Sequence, residues 1–160
     1  MQMAHMPLSK GRNKQTPDRL VIHAMGEFID TDDIDYSAVD WLRKLGLSVH
    51  AFITPSGVVI RSRDDEQGAY HAKDYNTNSL GVEFLVPGLH TYETFVEALK
   101  TPYLTGPQYE AGVVLVRAWM DRWEIDHIDR HSDLSPDRKV DPGAGFPWDQ
   151  FMRDIQPAIV

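Results

Sequence analysis

The sequence predicts an α/β domain: one central mixed β-sheet flanked by helices. Three observations predict it. Short β-branched and aromatic runs alternate along the chain with segments of helical period. One pair of these runs is joined closely enough to form a hairpin, so the sheet combines parallel and antiparallel neighbours. At 160 residues, with no repeat, low-complexity stretch or dividing linker, the chain has the length of a single domain.

Each element has a local justification. Residues 1–18 are polar and carry several breakers, and read as a mobile N-terminal arm or surface loop ahead of a catalytic domain over residues 19–160. Leu20-Val21-Ile22 reads as a buried strand ending at His23. Residues 26–35 are acidic and turn-like. Ser37 can cap a helix over residues 38–45, which Gly46 stops. Residues 48–54 and 58–61 flank Pro55-Ser56-Gly57, the hairpin signal. Residues 79–86 form another strand, closed by Pro87-Gly88. Thr91 caps a helix running to residue 99. Residues 108–123 are the longest helical run, opened by Pro107. Its Val113, Val116, Met120 and Trp123 fall at helical spacing and read as a core stripe. Residues 125–128 form a short strand and residues 129–146 a loop rich in Pro, Gly and charge. Pro147 opens a last helix over residues 148–155.

Composition narrows the function. A hydrophobic share of 42% and a charged share of 25% exclude a collagen, a coiled coil and a disordered chain. The net charge of -8 argues against nucleic acid as a partner and against passive adhesion to an anionic surface. With no cysteine there is no disulfide framework, thiolate nucleophile or Cys-ligated zinc. No apolar run suits membrane insertion, and the first residues lack the hydrophobic core of a signal peptide, so cytoplasmic synthesis is expected.

The chemistry concentrates in three residues at element ends. His23 ends the first strand, His131 follows the last, and Asp141 lies ten residues further on. Two imidazoles and a carboxylate suit a catalytic zinc that keeps a fourth position for water. Spacing alone leaves the alternative open, since the chain has seven histidines and a lone one is more often a core or surface residue. Asp32, Asp33 and Asp35 lack the later Gly and Glu of a calcium loop and read as a solvated acidic turn.

Five ordered segments add a further signal: Val21-Ile22-His23, Val49-His50-Ala51-Phe52-Ile53, Ala69-Tyr70-His71-Ala72, Asn78-Ser79-Leu80-Gly81-Val82-Glu83, and the loop from His131 through Lys139-Val140-Asp141-Pro142-Gly143. Together they resemble the zinc-dependent N-acetylmuramoyl-L-alanine amidases, a family of phage lysozymes, muropeptide-recycling amidases and peptidoglycan-recognition proteins. The resemblance spans about residues 20–150 and implies the peptidoglycan amidase fold. It implies one zinc per chain held by His23, His131 and Asp141, with Glu83 as general base and Lys139 as oxyanion stabiliser. It also implies a substrate groove touching His50, His71 and Asn78. Val49 stands where the phage branch often carries a tyrosine, which shifts the base role to Glu83.

Plainer readings stand beside these. Glu83 could be a surface charge near a strand end, although Val82, Phe84 and Leu85 suggest a buried strand. Lys139 could pair with Asp137 on a solvated loop. His50, His71 and His127 could be core residues. The resemblance implies hydrolysis of the amide between N-acetylmuramic acid and L-alanine in peptidoglycan, by a monomer acting as a phage endolysin or wall-lytic enzyme. The alternatives are a cytosolic anhydro-muropeptide recycling amidase and a non-catalytic peptidoglycan-binding module.

Overall fold

Period-two alternation gives the central strands β2 (Arg19–Glu27) and β5 (Ser79–His90) two different faces. Leu20 and Ile22 of β2, with Leu80, Val82 and Phe84 of β5, build the main core. They pack against Leu115, Val116 and Trp119 of α3 (Gly106–Arg122) and Phe151 of α5 (Trp148–Asp154). His23, Gly81 and Glu83 alternate with these residues and fall on the opposite face. There α1 (Ser37–Leu45) covers part of the sheet, packing Ala38, Val39 and Leu42 on Val49, Phe52 and Leu85. A polar stretch of β2 and β5 is left beside it. Toward the strand ends α2 (Tyr92–Ala98) closes Phe95 over Ala24 and Val86.

This computed structural model describes residues 1–11, 13–27 and 37–157, so the acidic turn with Asp32, Asp33 and Asp35 lies outside the described residues. The sheet order is β1-β4-β3-β5-β2-β6, with β1 at Met3–His5, β3 at Ala51–Ile53, β4 at Val59–Arg61 and β6 at His127–Arg130. β3, β5, β2 and β6 are parallel, β4 runs antiparallel to β3, and β1 runs parallel to β4. The sheet is mixed, as predicted. The register sets His23 opposite Glu83 and Ile22 opposite Arg130, so His131 emerges beside His23. No helix among the described residues is long and apolar enough to cross a membrane.

Four expectations need correction. The first eighteen residues are not a free arm. Met3–His5 pairs with β4, Leu8 is buried, and the Gln15 amide bonds to the backbone of Asp65 and Ser79. The strand expected to stop at Pro87-Gly88 continues to His90. A register irregularity between Met25 and Glu27 absorbs the missing proline N–H, with Gly88 at φ 96°. The last strand begins two residues later than expected, because Asp126 and His127 first donate to the Asp18 carbonyl. The loop after it opens with a short helix, α4 (His131–Leu134). The hairpin and the Thr91 cap follow expectation: Thr91 accepts from the amide three residues on, and Pro107 sits in the first turn of α3, which Thr105, not singled out in the sequence, caps in the same way.

One buried charge ties α3 to the sheet edge. Asp65 accepts from the indole N–H groups of Trp119 at 3.1 Å and Trp123 at 3.2 Å, and it pairs with Arg61. Burial pushes its carboxyl pKa up, but the Arg61 charge and these hydrogen bonds outweigh that and hold it below the usual carboxylate range. Asp65→Ala leaves two indole donors unmatched and the Arg61 charge without its carboxylate. It should therefore cost about 3–5 kcal/mol in urea unfolding, whereas a loss below about 1 kcal/mol would mean that the network contributes little.

Candidate active site

One strand, the residue directly after a second and the loop that follows deliver the central donors. His23 lies in β2, and His131 is the first residue of α4 directly after β6. Asp141 reaches them from the following loop, pinned where Ser132 N–H donates to the Asp141 carbonyl at 2.9 Å. The donor atoms converge. His23 Nδ1 lies 2.9 Å from His131 Nδ1 and 3.4 Å from Asp141 Oδ2, and His131 Nδ1 lies 3.1 Å from the same oxygen. All three residues are buried, and they form a group able to hold a metal ion.

The donor set fits such an ion. Ligands at about 2.0–2.1 Å around a tetrahedral zinc stand roughly 3.3 Å apart, close to the spacing seen. Burial and the neighbouring His131 push the His23 pKa down to about 4, so the ring is a neutral donor near neutral pH. The Asp141 carboxyl is raised by burial, but the His131 and His23 rings beside it more than offset this and hold it well below the usual carboxylate range. Ala24 N–H also donates to Asp141 Oδ2, at 3.3 Å.

Glu83 completes the centre without joining the donor triangle. Its Oε1 is 3.9 Å from His23 Nδ1, and its Oε2 is buried with no hydrogen-bond partner among the described residues. Burial and the adjacent Asp141 raise its pKa well above the usual range, while Lys139 opposes the rise. Two carboxylates with oppositely displaced pKa values are suited to different tasks. Lys139 lines the same cavity of about 180 Å³, whose walls include the apolar Trp41, Leu47, Tyr92 and Phe95.

Of the three residues expected at the substrate groove, only His71 lines this cavity. His50 is fully buried. Its Nδ1 accepts from Gly81 N–H at 3.1 Å and its Nε2 donates to the Gln67 carbonyl at 2.7 Å, so both ring nitrogens serve the core. Asn78 is exposed at the start of β5, with φ 63°, and lines a separate hollow with Gln15 and Trp123. Its motif position reflects the turn rather than a contact with the cavity.

Sequence reasoning missed Tyr103, whose hydroxyl donates to the Pro142 carbonyl at 2.8 Å and so braces the loop carrying Asp141. Its segment, between the Pro87-Gly88 bulge and α3, matched none of the five motif segments, and one tyrosine there carries no distinguishing signal. Gly143 passes so close to Leu99 that a Cβ would approach it to 2.6 Å, at φ 79°, which explains a glycine in this loop.

The buried His50 generates a pH prediction. Burial, only partly offset by the bond to Gln67, pushes its pKa down to about 4 from 6.5. Between these values the unfolded chain binds the extra proton, so this contribution is complete above pH 6.5 and is lost as pH falls toward 4. It amounts to about 3 kcal/mol. Unfolding free energy measured from pH 7.5 to 4 should fall less steeply in His50→Gln than in the wild type. Equal slopes would assign the acid sensitivity to other groups.

Comparison with known proteins agrees with this geometry. Residues 13–144 match the family described as N-acetylmuramoyl-L-alanine amidase. The 1,6-anhydro-N-acetylmuramyl-L-alanine amidase AmpD of Enterobacter cloacae is 32% identical over 161 aligned positions, covering 86% of this chain and 80% of that protein. A selenomethionine derivative of AmpD superposes with a TM-score of 0.73 at 23% identity, covering 97% of this chain and 95% of that one. The Escherichia coli amidase AmiD, solved with anhydro-N-acetylmuramic acid-L-Ala-D-gamma-Glu-L-Lys, gives a TM-score of 0.68 at 23% identity over 96% of this chain and 62% of its own.

Proposed function

The chain belongs to the N-acetylmuramoyl-L-alanine amidase family, and we propose that it is a zinc enzyme acting on soluble anhydro-muropeptides. The bond cleaved is the amide between the lactyl group of N-acetylmuramic acid and L-alanine. The observation that carries the zinc reading is the convergence of His23, His131 and Asp141 with donor atoms 2.9–3.4 Å apart. The sequence alone leaned toward a wall-lytic endolysin. The anhydro-specific name of the Enterobacter cloacae relative supports the recycling alternative instead.

His23 Nδ1, His131 Nδ1 and an Asp141 oxygen would hold the ion. Zinc bound there supplies Lewis acidity toward the scissile carbonyl and lowers the pKa of a water to about 7. Glu83, whose pKa is raised and whose Oε2 has no partner among the described residues, takes the proton of the attacking water and delivers it to the leaving amine of L-alanine. Lys139, which lines the cavity, would offset negative charge that develops on the carbonyl oxygen. Trp41, Leu47 and Tyr92 give the cavity an apolar wall.

Three outcomes test this reading. Incubated with anhydro-N-acetylmuramyl peptides or with intact sacculi, the enzyme should release peptides beginning at L-alanine, identified by mass spectrometry, and should turn over the soluble substrate faster. Faster clearing of sacculi would restore the wall-lytic reading. Glu83→Gln should keep its zinc and fold while losing about a hundredfold or more in turnover, the usual size of a general-base contribution. A Gln variant with near-normal turnover would move the base elsewhere. Lys139→Met should lower kcat and kcat/KM together by roughly 100- to 1000-fold with little change in KM, as expected when a transition-state donor is removed. A raised KM at constant kcat would make Lys139 a substrate-binding charge.

A further inference from the structure

Resting on the zinc reading above, we propose that His71 and Ser79 are positioning residues that hold His23 in the one tautomer able to bind a metal. The assignment starts from a backbone carbonyl, which can only accept. Ser79 Oγ donates its proton to the Tyr75 carbonyl. With that proton committed, Ser79 Oγ can only accept from His71 Nε2, 2.9 Å away, which places the His71 proton on Nε2. His71 Nδ1 is then a bare lone pair, 2.9 Å from His23 Nε2, and accepts the His23 proton. His23 Nδ1 is left unprotonated, 2.9 Å from His131 Nδ1 and 3.4 Å from Asp141 Oδ2.

The relay is itself held in place. Asn76 Oδ1 accepts from the backbone N–H groups of His71 at 2.9 Å and Ala72 at 2.7 Å, closing the loop that carries the ring. Gly81 gives the ring its room, since a Cβ at that position would lie 2.5 Å from His71 Nδ1. The two imidazole donors differ in this respect. His131 Nε2 is buried with no hydrogen-bond partner among the described residues, whereas the outer nitrogen of His23 is fixed by a chain of three groups. Partners of this kind orient a ligand and raise its basicity, and their loss typically costs 10- to 100-fold in metal affinity. His71 therefore acts through His23, although it also borders the cavity.

The test combines tautomer spectroscopy with zinc affinity. Long-range proton–nitrogen NMR of the zinc-free protein should show His23 and His71 both protonated at Nε2. Zinc competition against a chromogenic chelator should show His71→Ala and Ser79→Ala weakened by about 10- to 100-fold. His71→Gln, whose amide can accept from His23 and donate to Ser79, should stay near the wild-type affinity. Gly81→Ala, which keeps both side chains but crowds the ring, should behave like His71→Ala. A proton on Nδ1 of either ring would overturn the proposal. Unchanged zinc affinity in folded His71→Ala with lost hydrolysis would also overturn it, making His71 a substrate contact. If His71→Ala fails to fold, Ser79→Ala and the wild-type spectra decide. Failure of the wild type to take up zinc would instead refute the metal reading, while the spectra still test the hydrogen-bond chain independently.

Discussion

Everything in this site depends on holding three electron-rich atoms together inside a protein. His23 and His131 are 108 residues apart in sequence, yet their Nδ1 atoms stand 2.9 Å apart, with a carboxylate oxygen 3.1–3.4 Å from both. Two imidazole nitrogens and a carboxylate oxygen at this spacing repel one another's lone pairs unless a cation or a proton lies between them. The parallel sheet enforces the arrangement. β2 is flanked by β5 and β6, so Glu83 faces His23 across one ladder while the chain leaves β6 at His131 beside the other. The loop that returns Asp141 is fixed by Ser132, Tyr103 and the close approach of Gly143 to Leu99.

The same burial separates the two carboxylates by role. Asp141 gains enough from its histidine neighbours to stay ionised despite burial, whereas burial and the adjacent Asp141 raise the pKa of Glu83, whose Oε2 has no partner among the described residues. One carboxylate is therefore suited to holding a cation and the other to carrying a proton. The opposite face of the sheet is packed with aliphatic and aromatic side chains against α3 and α5, giving the polar face a rigid backing. The chemistry thus occupies one side of two strands whose other side is ordinary core.

What the sequence made legible was local. Thr91, Pro107 and the Pro55-Ser56-Gly57 turn announce their elements because a cap or a turn is specified by adjacent residues. Met3–His5 gave no strand signal, because its pairing is decided by β4, more than fifty residues away. The four-residue α4 is too short for any period to show. Among site residues, His23, His131 and Asp141, which form a group able to hold a metal ion, and Glu83 beside them all lie in the motif segments. The roles of His50 and Asn78 were not, because they depend on bonds to Gly81 and Gln67 and on a left-handed turn. Tyr103 acts through one hydroxyl on a distant carbonyl, which no local pattern encodes.

The most direct test of the account is the metal content and coordination of the purified protein, by elemental analysis and zinc-edge X-ray absorption. The account predicts one zinc per chain, with two imidazole nitrogens and a carboxylate oxygen at about 2.0–2.2 Å, and loss of the ion in His131→Ala. Stoichiometric zinc kept in His131→Ala with unchanged coordination, or a folded wild type that takes up no zinc, would contradict it.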